Sequence, residues 1–195
     1  GFLIFYQSAI NASYGGFGDM RGVFNFYIRR FFRIAPVYYL ALLLALLAGT
    51  FLGEARQAIA VHAPETQTDL GRYFMADPLG NALMHVSFLF GLFPRYAFST
   101  PLPDWSLGLE MQFYVVFPAL VLMLRKQFLP VMLALLLAAL AIRIGLKLAG
   151  VAYPMPSLLP LKFHNFAAGM AIAHLYLNPT VRRWPLMIVI LVFVG

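Results

Sequence analysis

The sequence predicts an all-α fold, a polytopic transmembrane helix bundle. Three observations carry that expectation. Of the 195 residues, 62% are hydrophobic, 16% aromatic and 11% charged, and the mean hydropathy is +0.81. A soluble domain carries roughly 25% charged residues, and a chain of this size cannot hide so much apolar surface in one water-soluble core. The apolar residues also come in unbroken runs long enough to cross a bilayer, which takes ~20 residues as a helix. Finally, no alternating stretch is long enough for a membrane barrel, and no internal repeat is visible. An ordinary cytosolic enzyme, a nucleic-acid-binding domain and a disordered chain are excluded.

The elements follow in order. Gly1 to Ile10 reads as the tail of a helix begun upstream. Gly15-Gly-Phe-Gly-Asp-Met-Arg-Gly22 reads as a flexible turn, since it lacks the strand and helix of a dinucleotide loop. Ile34 to Gly53 is a charge-free stretch of 20 residues, with Pro36 in what would be its first turn. Trp105 to Leu124 is a second span of 20, its single charge being Glu110. Phe128 to Leu148 is a third, with Arg143 and Lys147 placed to snorkel. Leu161 to Leu177 is a fourth, and Leu186 starts a fifth. Asn81 to Phe93 is apolar, but its 13 residues are too few to cross, so an interfacial or re-entrant helix is expected. The expected sum is about four full spans, truncated helices at both ends and one short helix. All of 1–195 is read as one membrane-embedded domain, itself a piece of a longer protein.

Fourteen Lys+Arg against seven Asp+Glu leave a net charge of +7. The basic residues sit at the ends of apolar runs, as the positive-inside rule places them, so nucleic acid is not the expected partner. With Arg21–Arg33, Arg125–Lys126 and Arg182–Arg183 in cytoplasmic loops, the spans alternate consistently. The Glu54–Asp104 loop, with five of the seven acids, is then outside. Cysteine is absent, which removes disulfides, thiolate nucleophiles and Cys-based metal sites; no metal is expected. Asn11-Ala-Ser13 fits a glycosylation acceptor on the cytoplasmic side of this scheme.

Two constellations can carry chemistry. In Phe26-Tyr-Ile-Arg-Arg-Phe-Phe-Arg-Ile-Ala-Pro36, helical spacing puts Arg29 and Arg30 each on a face with Arg33. Guanidinium groups clamp phosphates and interleaved aromatics stack on rings, which suits a nucleotide thioester; contact with anionic lipid headgroups is the alternative. In Pro101-Leu-Pro-Asp-Trp-Ser-Leu-Gly-Leu-Glu-Met-Gln-Phe-Tyr114, Asp104 reads as a helix N-cap. Glu110 then lies about 9 Å along the axis, too deep to answer the helix dipole. It shares a face with Ser106, and an intramembrane acid is a functional candidate unless it pairs with a neighbouring Arg. Trp105 also fits an interfacial aromatic belt. Small residues Ala168, Gly169, Ala171 and Ala173 permit close helix packing. His164 and His174 read as structural or relay groups, His62 as solvated, and His85 as able to face the outer cavity without supporting a metal site.

Together these segments resemble the bacterial integral-membrane O-acyltransferases of acyltransferase family 3. The resemblance rests on Gly1-Phe-Leu-Ile4, on Arg29 through Pro36, on Trp105 through Tyr114 with Pro118, and on Phe166-Ala-Ala-Gly169. It implies transfer of an acyl group, acetyl by expectation, from cytoplasmic acyl-CoA to a hydroxyl of an extracytoplasmic saccharide or lipid-linked glycan, in the bacterial inner membrane. Arg30 and Arg33, with Arg29, are then the donor-binding candidates, and Glu110, Ser106 and Trp105 the catalytic ones. The family's essential histidine lies on a helix upstream of Gly1, and none of the four histidines here is expected to replace it. A proton-coupled transporter or export subunit is the rival reading, but the inverted repeat or paired broken helices that would mark it are not visible.

Overall fold

The computed structural model describes residues 1–10, 17–179 and 187. Among them are six α-helices and no strand: α1 (Phe2–Ile10), α2 (Met20–His62), α3 (Pro78–Val86), α4 (Trp105–Lys126), α5 (Phe128–Leu148) and α6 (Leu159–Leu177). The all-α bundle is as expected. The fifth span, Arg182, Arg183 and the glycosylation motif lie outside the described residues.

Three helices, α2, α4 and α5, are long and apolar enough to cross a membrane. The fourth expected span, α6, forms with 19 residues but is not among them, because Lys162, His164, Asn165 and His174 lower its hydropathy. The larger correction concerns α2. It begins at Met20, so Arg21, Arg29, Arg30 and Arg33 are helical and do not form a loop. Its 43 residues extend about 65 Å at 1.5 Å per residue, twice a ~30 Å hydrocarbon core. Pro36 is interior to it; the missing N–H leaves the Phe32 carbonyl without its helical donor. Arg125 and Lys126 likewise fall in the last turn of α4. The basic residues thus flank the apolar stretches as parts of the helices themselves.

The chain divides into two units. One holds Gly1–Arg30, Gln112–Ala152 and Leu158–Gly195. Here α1 lies against α6, where Gly169 lets the backbones meet: a Cβ on it would stand 2.6 Å from the Phe2 nitrogen. Small residues serve this close approach, as the sequence suggests. Tyr176 meets the rings of Phe2 and Tyr6 edge-on. An aromatic core follows: Phe26 stacks on Phe117 at 5.4 Å, and Phe113 on Phe166 at 4.3 Å. The Tyr27 hydroxyl donates to the Val115 carbonyl at 2.8 Å.

The other unit holds Phe31–Met111 and Tyr153–Ser157. Its core is Ala35, Tyr38, Leu42, Phe88 and Phe90, with Leu107 and Met111 packed against it. On α2, Leu40, Leu43, Leu44, Leu47 and Phe51 are exposed, an apolar surface of the kind lipid covers.

The expected helix over Asn81–Phe93 is broken. Asp77 caps α3 by accepting from the Gly80 amide at 2.9 Å, with Pro78 in the first turn. α3 then stops at Val86, because Phe88 takes a φ of 58°. The Leu89 amide reaches back to the Met84 carbonyl and the Phe88 amide to that of His85, the two bonds of a Schellman ending. Glycine normally fills the left-handed position, which costs other residues about 1–2 kcal/mol. Phe88 tolerates it because its buried ring lies 5.0 Å from that of Tyr38 and 5.6 Å from that of Tyr39. Phe88→Gly is therefore expected to lower thermal stability, since losing a buried Phe costs about 3–5 kcal/mol, more than the backbone relief returns. An unfolding temperature at or above wild type in detergent would contradict this.

Candidate functional site

The turn at Phe88 sends the chain back on itself, so that Phe90 covers His85 with rings parallel and 4.3 Å apart. Gly108 on α4 makes room for Phe90, since a Cβ there would stand 3.0 Å from the ring. His85 is fully buried. Its Nδ1 lies 2.8 Å from the Asn81 carbonyl, and its Nε2 lies 3.6 Å from Oδ2 of Asp104. The Tyr38 hydroxyl donates to the same Oδ2 at 2.9 Å, and Thr100 approaches it at 3.4 Å. Oδ1 of Asp104 and Nε2 of His85 are buried with no hydrogen-bond partner among the described residues.

Asp104 does start α4, since its carbonyl accepts from the Leu107 and Gly108 amides. Its carboxylate does not cap the helix as expected; it turns to Tyr38, Thr100 and His85. Burial pushes the Asp104 carboxyl above the usual carboxylate range, against the opposing pull of His85 and of the hydrogen bonds from Tyr38 and Thr100. Burial also pushes the His85 imidazole below its ordinary value, with Asp104 and the Asn81 carbonyl opposing. Arg72 fixes the preceding loop: it donates to the Thr100 carbonyl at 2.9 Å and the Leu102 carbonyl at 3.1 Å, while its guanidinium lies 3.4 Å from the centre of the Phe98 ring.

Asp104 and Tyr38 line a cleft of ≈ 370 Å³ together with Arg33. Arg33, Val37 and Tyr38 come from one face of α2, at the spacing of successive turns; Leu102, Pro103 and Leu107 complete an apolar wall. Arg33 is exposed and Asp104 buried, so the cleft runs from a cation in the open to an acid at its floor. A guanidinium of this kind can grip a phosphate, and the buried carboxylate accepts hydroxyl hydrogens, as it does from Tyr38.

The expected site residues are distributed differently. Of the three arginines, Arg33 alone lines this cleft. Arg30 is buried in the other unit, donating to Oε1 of Gln7 at 2.9 Å between the rings of Phe26 and Tyr114. Arg29 is exposed. Trp105 and Glu110 are half-buried and Ser106 exposed, and none of the three lines the cleft. Leu107, which lines the cleft with Arg33, lies about one helical turn before Glu110 on α4. Through Asp104, the Tyr38 hydroxyl ties the start of α4 to the start of the apolar stretch of α2.

Asp104, Tyr38, His85 and Arg72 were missed as site residues. Asp104 resembles any helix-starting acid, and His85 any lone histidine, until the fold joins them. His164 lines a separate cleft of ≈ 280 Å³ with Arg143.

Searches of curated proteins and of solved structures found no match. A family model described as an acyltransferase domain matches residues 1–195. With three helices fit to cross a bilayer and this match over its whole length, the chain belongs to acyltransferase family 3 and is a membrane acyltransferase.

Proposed function

We propose that this acyltransferase moves an acyl group, acetyl in the simplest case, from acyl-CoA to a hydroxyl of a saccharide or lipid-linked glycan in the bacterial inner membrane. The observation that carries the reading is the cleft itself, where an exposed guanidinium and a buried carboxylate share an apolar wall beside the Trp105 helix. In the reaction the hydroxyl oxygen bonds to the thioester carbonyl carbon, the C–S bond breaks, and the hydroxyl proton ends on the thiol. Arg33 would hold a donor phosphate at the mouth, giving the orientation that such a transfer needs. Glu110 does not line this cleft; the motif resemblance alone gives it a catalytic role, with Trp105 and Ser106 on the same helix.

The test uses membrane vesicles holding the full-length protein, acetyl-CoA labelled in the acetyl group, and the glycans of those membranes as acceptors. Label is expected in hydroxylamine-labile esters, lost in Glu110→Gln at normal protein level. Absence of any ester-borne label, or proton-driven solute uptake in its place, would overturn the reading.

A further inference from the structure

The second half of α5 is packed unlike the first. The buried residues of the helix, Phe128, Met132 and Leu136, all lie in the first half, and from Leu137 to Leu148 none is buried. Close packing against the bundle therefore ends at Leu136. From that point a cleft of ≈ 280 Å³ opens where α5 lies against α6. Leu136, Leu140 and Arg143 line it from one face of α5, at the spacing of successive turns, and Leu161 and His164 line it from the first turns of α6. Along α5 the lining thus changes from aliphatic to cationic toward the end of the helix.

Arg143 lies five residues before that end, about 7.5 Å inside it. Leu137, Leu140, Ile142 and Ile144 around it are exposed, a surface that lipid covers. A cation among lipid-facing side chains is costly unless it reaches an anion. Snorkelling would satisfy a lone arginine, but Arg143 does not stand alone. Lys147 follows one turn later on the same face, and the charges of Arg143 and Lys162 both bear on the His164 ring. No acid balances them: no Asp or Glu follows Glu110 in the sequence, and among the described residues Arg143, Lys147 and Lys162 form no ion pair. Converging cations repel one another, and a bound anion removes that repulsion.

We infer that the α5–α6 cleft is a binding site for an anionic phospholipid, whose headgroup phosphate is held by Arg143 with His164 and Lys162 and whose acyl chain runs along Leu140 and Leu136. The leucine wall, set in a lipid-facing surface, selects a lipid over a free anion. The charge selects the headgroup: a zwitterionic lipid would bring its amine into a cluster that has no acid to receive it. The bound lipid fills the gap left where protein packing stops and so joins the end of α5 to the start of α6.

The test uses the full-length protein in detergent and phosphatidylglycerol carrying a photoreactive group on one acyl chain, close to the glycerol. Mass spectrometry maps the adducts. Saturable labelling of residues 136–164 is expected, displaced by unlabelled phosphatidylglycerol and far less by phosphatidylcholine. Arg143→Gln should weaken the apparent affinity roughly 10-fold, the loss of one charge-assisted phosphate contact, and Arg143→Lys should recover part of it. Arg125→Gln removes the same charge at a residue that does not line the cleft and should change nothing. Equal displacement by the two lipids, or equal effects of Arg143→Gln and Arg125→Gln, would reduce the cluster to a general cationic belt and overturn the site. Displacement by inorganic phosphate would make it a free-anion site and overturn the lipid assignment. Absence of label from the segment, as expected if another part of the chain or a second copy covers the cleft, overturns the inference as well. Should Arg143→Gln fail to fold, the displacement series on the wild type still decides. None of these readouts depends on acyl transfer, so the site and the proposed reaction stand or fall separately.

Discussion

Arg33→Ala is expected to raise the KM for acetyl-CoA by roughly 10- to 100-fold, the loss that follows from removing a charge-assisted phosphate contact. Thermal stability should hardly change, because Arg33 is exposed at the mouth of the cleft. Arg33→Lys should recover part of the affinity, since it keeps the charge but not the fork of donors. Arg30→Ala is expected to do the reverse. Its guanidinium is buried against Gln7, Phe26 and Tyr114, so its loss strands the Gln7 carbonyl and opens a gap in the bundle. Unfolding temperature should drop with little change in KM among the molecules that remain folded. Steady-state kinetics and thermal unfolding of both variants in detergent check the contrast. Equal KM for Arg33→Ala and wild type would remove Arg33 from the donor site.

Phe117→Ala should be among the most damaging changes to the fold. The side chain is fully buried and its ring lies within 6 Å of three others: Phe17 at 5.8 Å, Phe26 at 5.4 Å and Phe113 at 5.3 Å. In lipid the helices are held by packing more than by exclusion of water, so a hole among those three rings removes aromatic contacts that join α2 to α4 in that unit. A loss of about 3–5 kcal/mol is expected, read as a lower unfolding temperature and less monodisperse protein on size-exclusion chromatography. Phe51→Ala is the control. That ring is 71% exposed on the apolar face of α2, and its removal should leave the unfolding temperature unchanged. Equal stability of both variants would mean the aromatic cluster does not hold the bundle.

Much of the architecture was legible because the physics behind it is local. The twenty charge-free residues from Ile34 to Gly53 must be helical in lipid, where every backbone amide has to be satisfied within its own segment. The same holds for α4 and α5, whose bounds fall within two residues of the sequence reading at every end. Where an element depends on what packs against it, the reading failed. Pro36 suggested a helix start, yet α2 carries it inside, since the missing hydrogen bond costs one contact among forty-three residues. Phe88 gave no sign of a helix ending, because only the rings of Tyr38 and Tyr39 make its left-handed backbone tolerable.

For the candidate site the division is sharper. Residue types and spacing alone marked the Arg29–Pro36 and Trp105–Tyr114 segments as carriers of chemistry, and composition alone made the chain a membrane protein. Those properties belong to single segments, and a linear pattern can express them. Which arginine lies at a cleft, which is buried, and which acid is buried beside a histidine were decided by the tertiary structure. Tyr38, His85 and Asp104 are 47 and 19 residues apart in sequence, and their proton affinities and bonding depend on each other's positions in a buried cluster. No order of residues states that distance; folding does, by pairing the start of α4 with the start of the apolar stretch of α2.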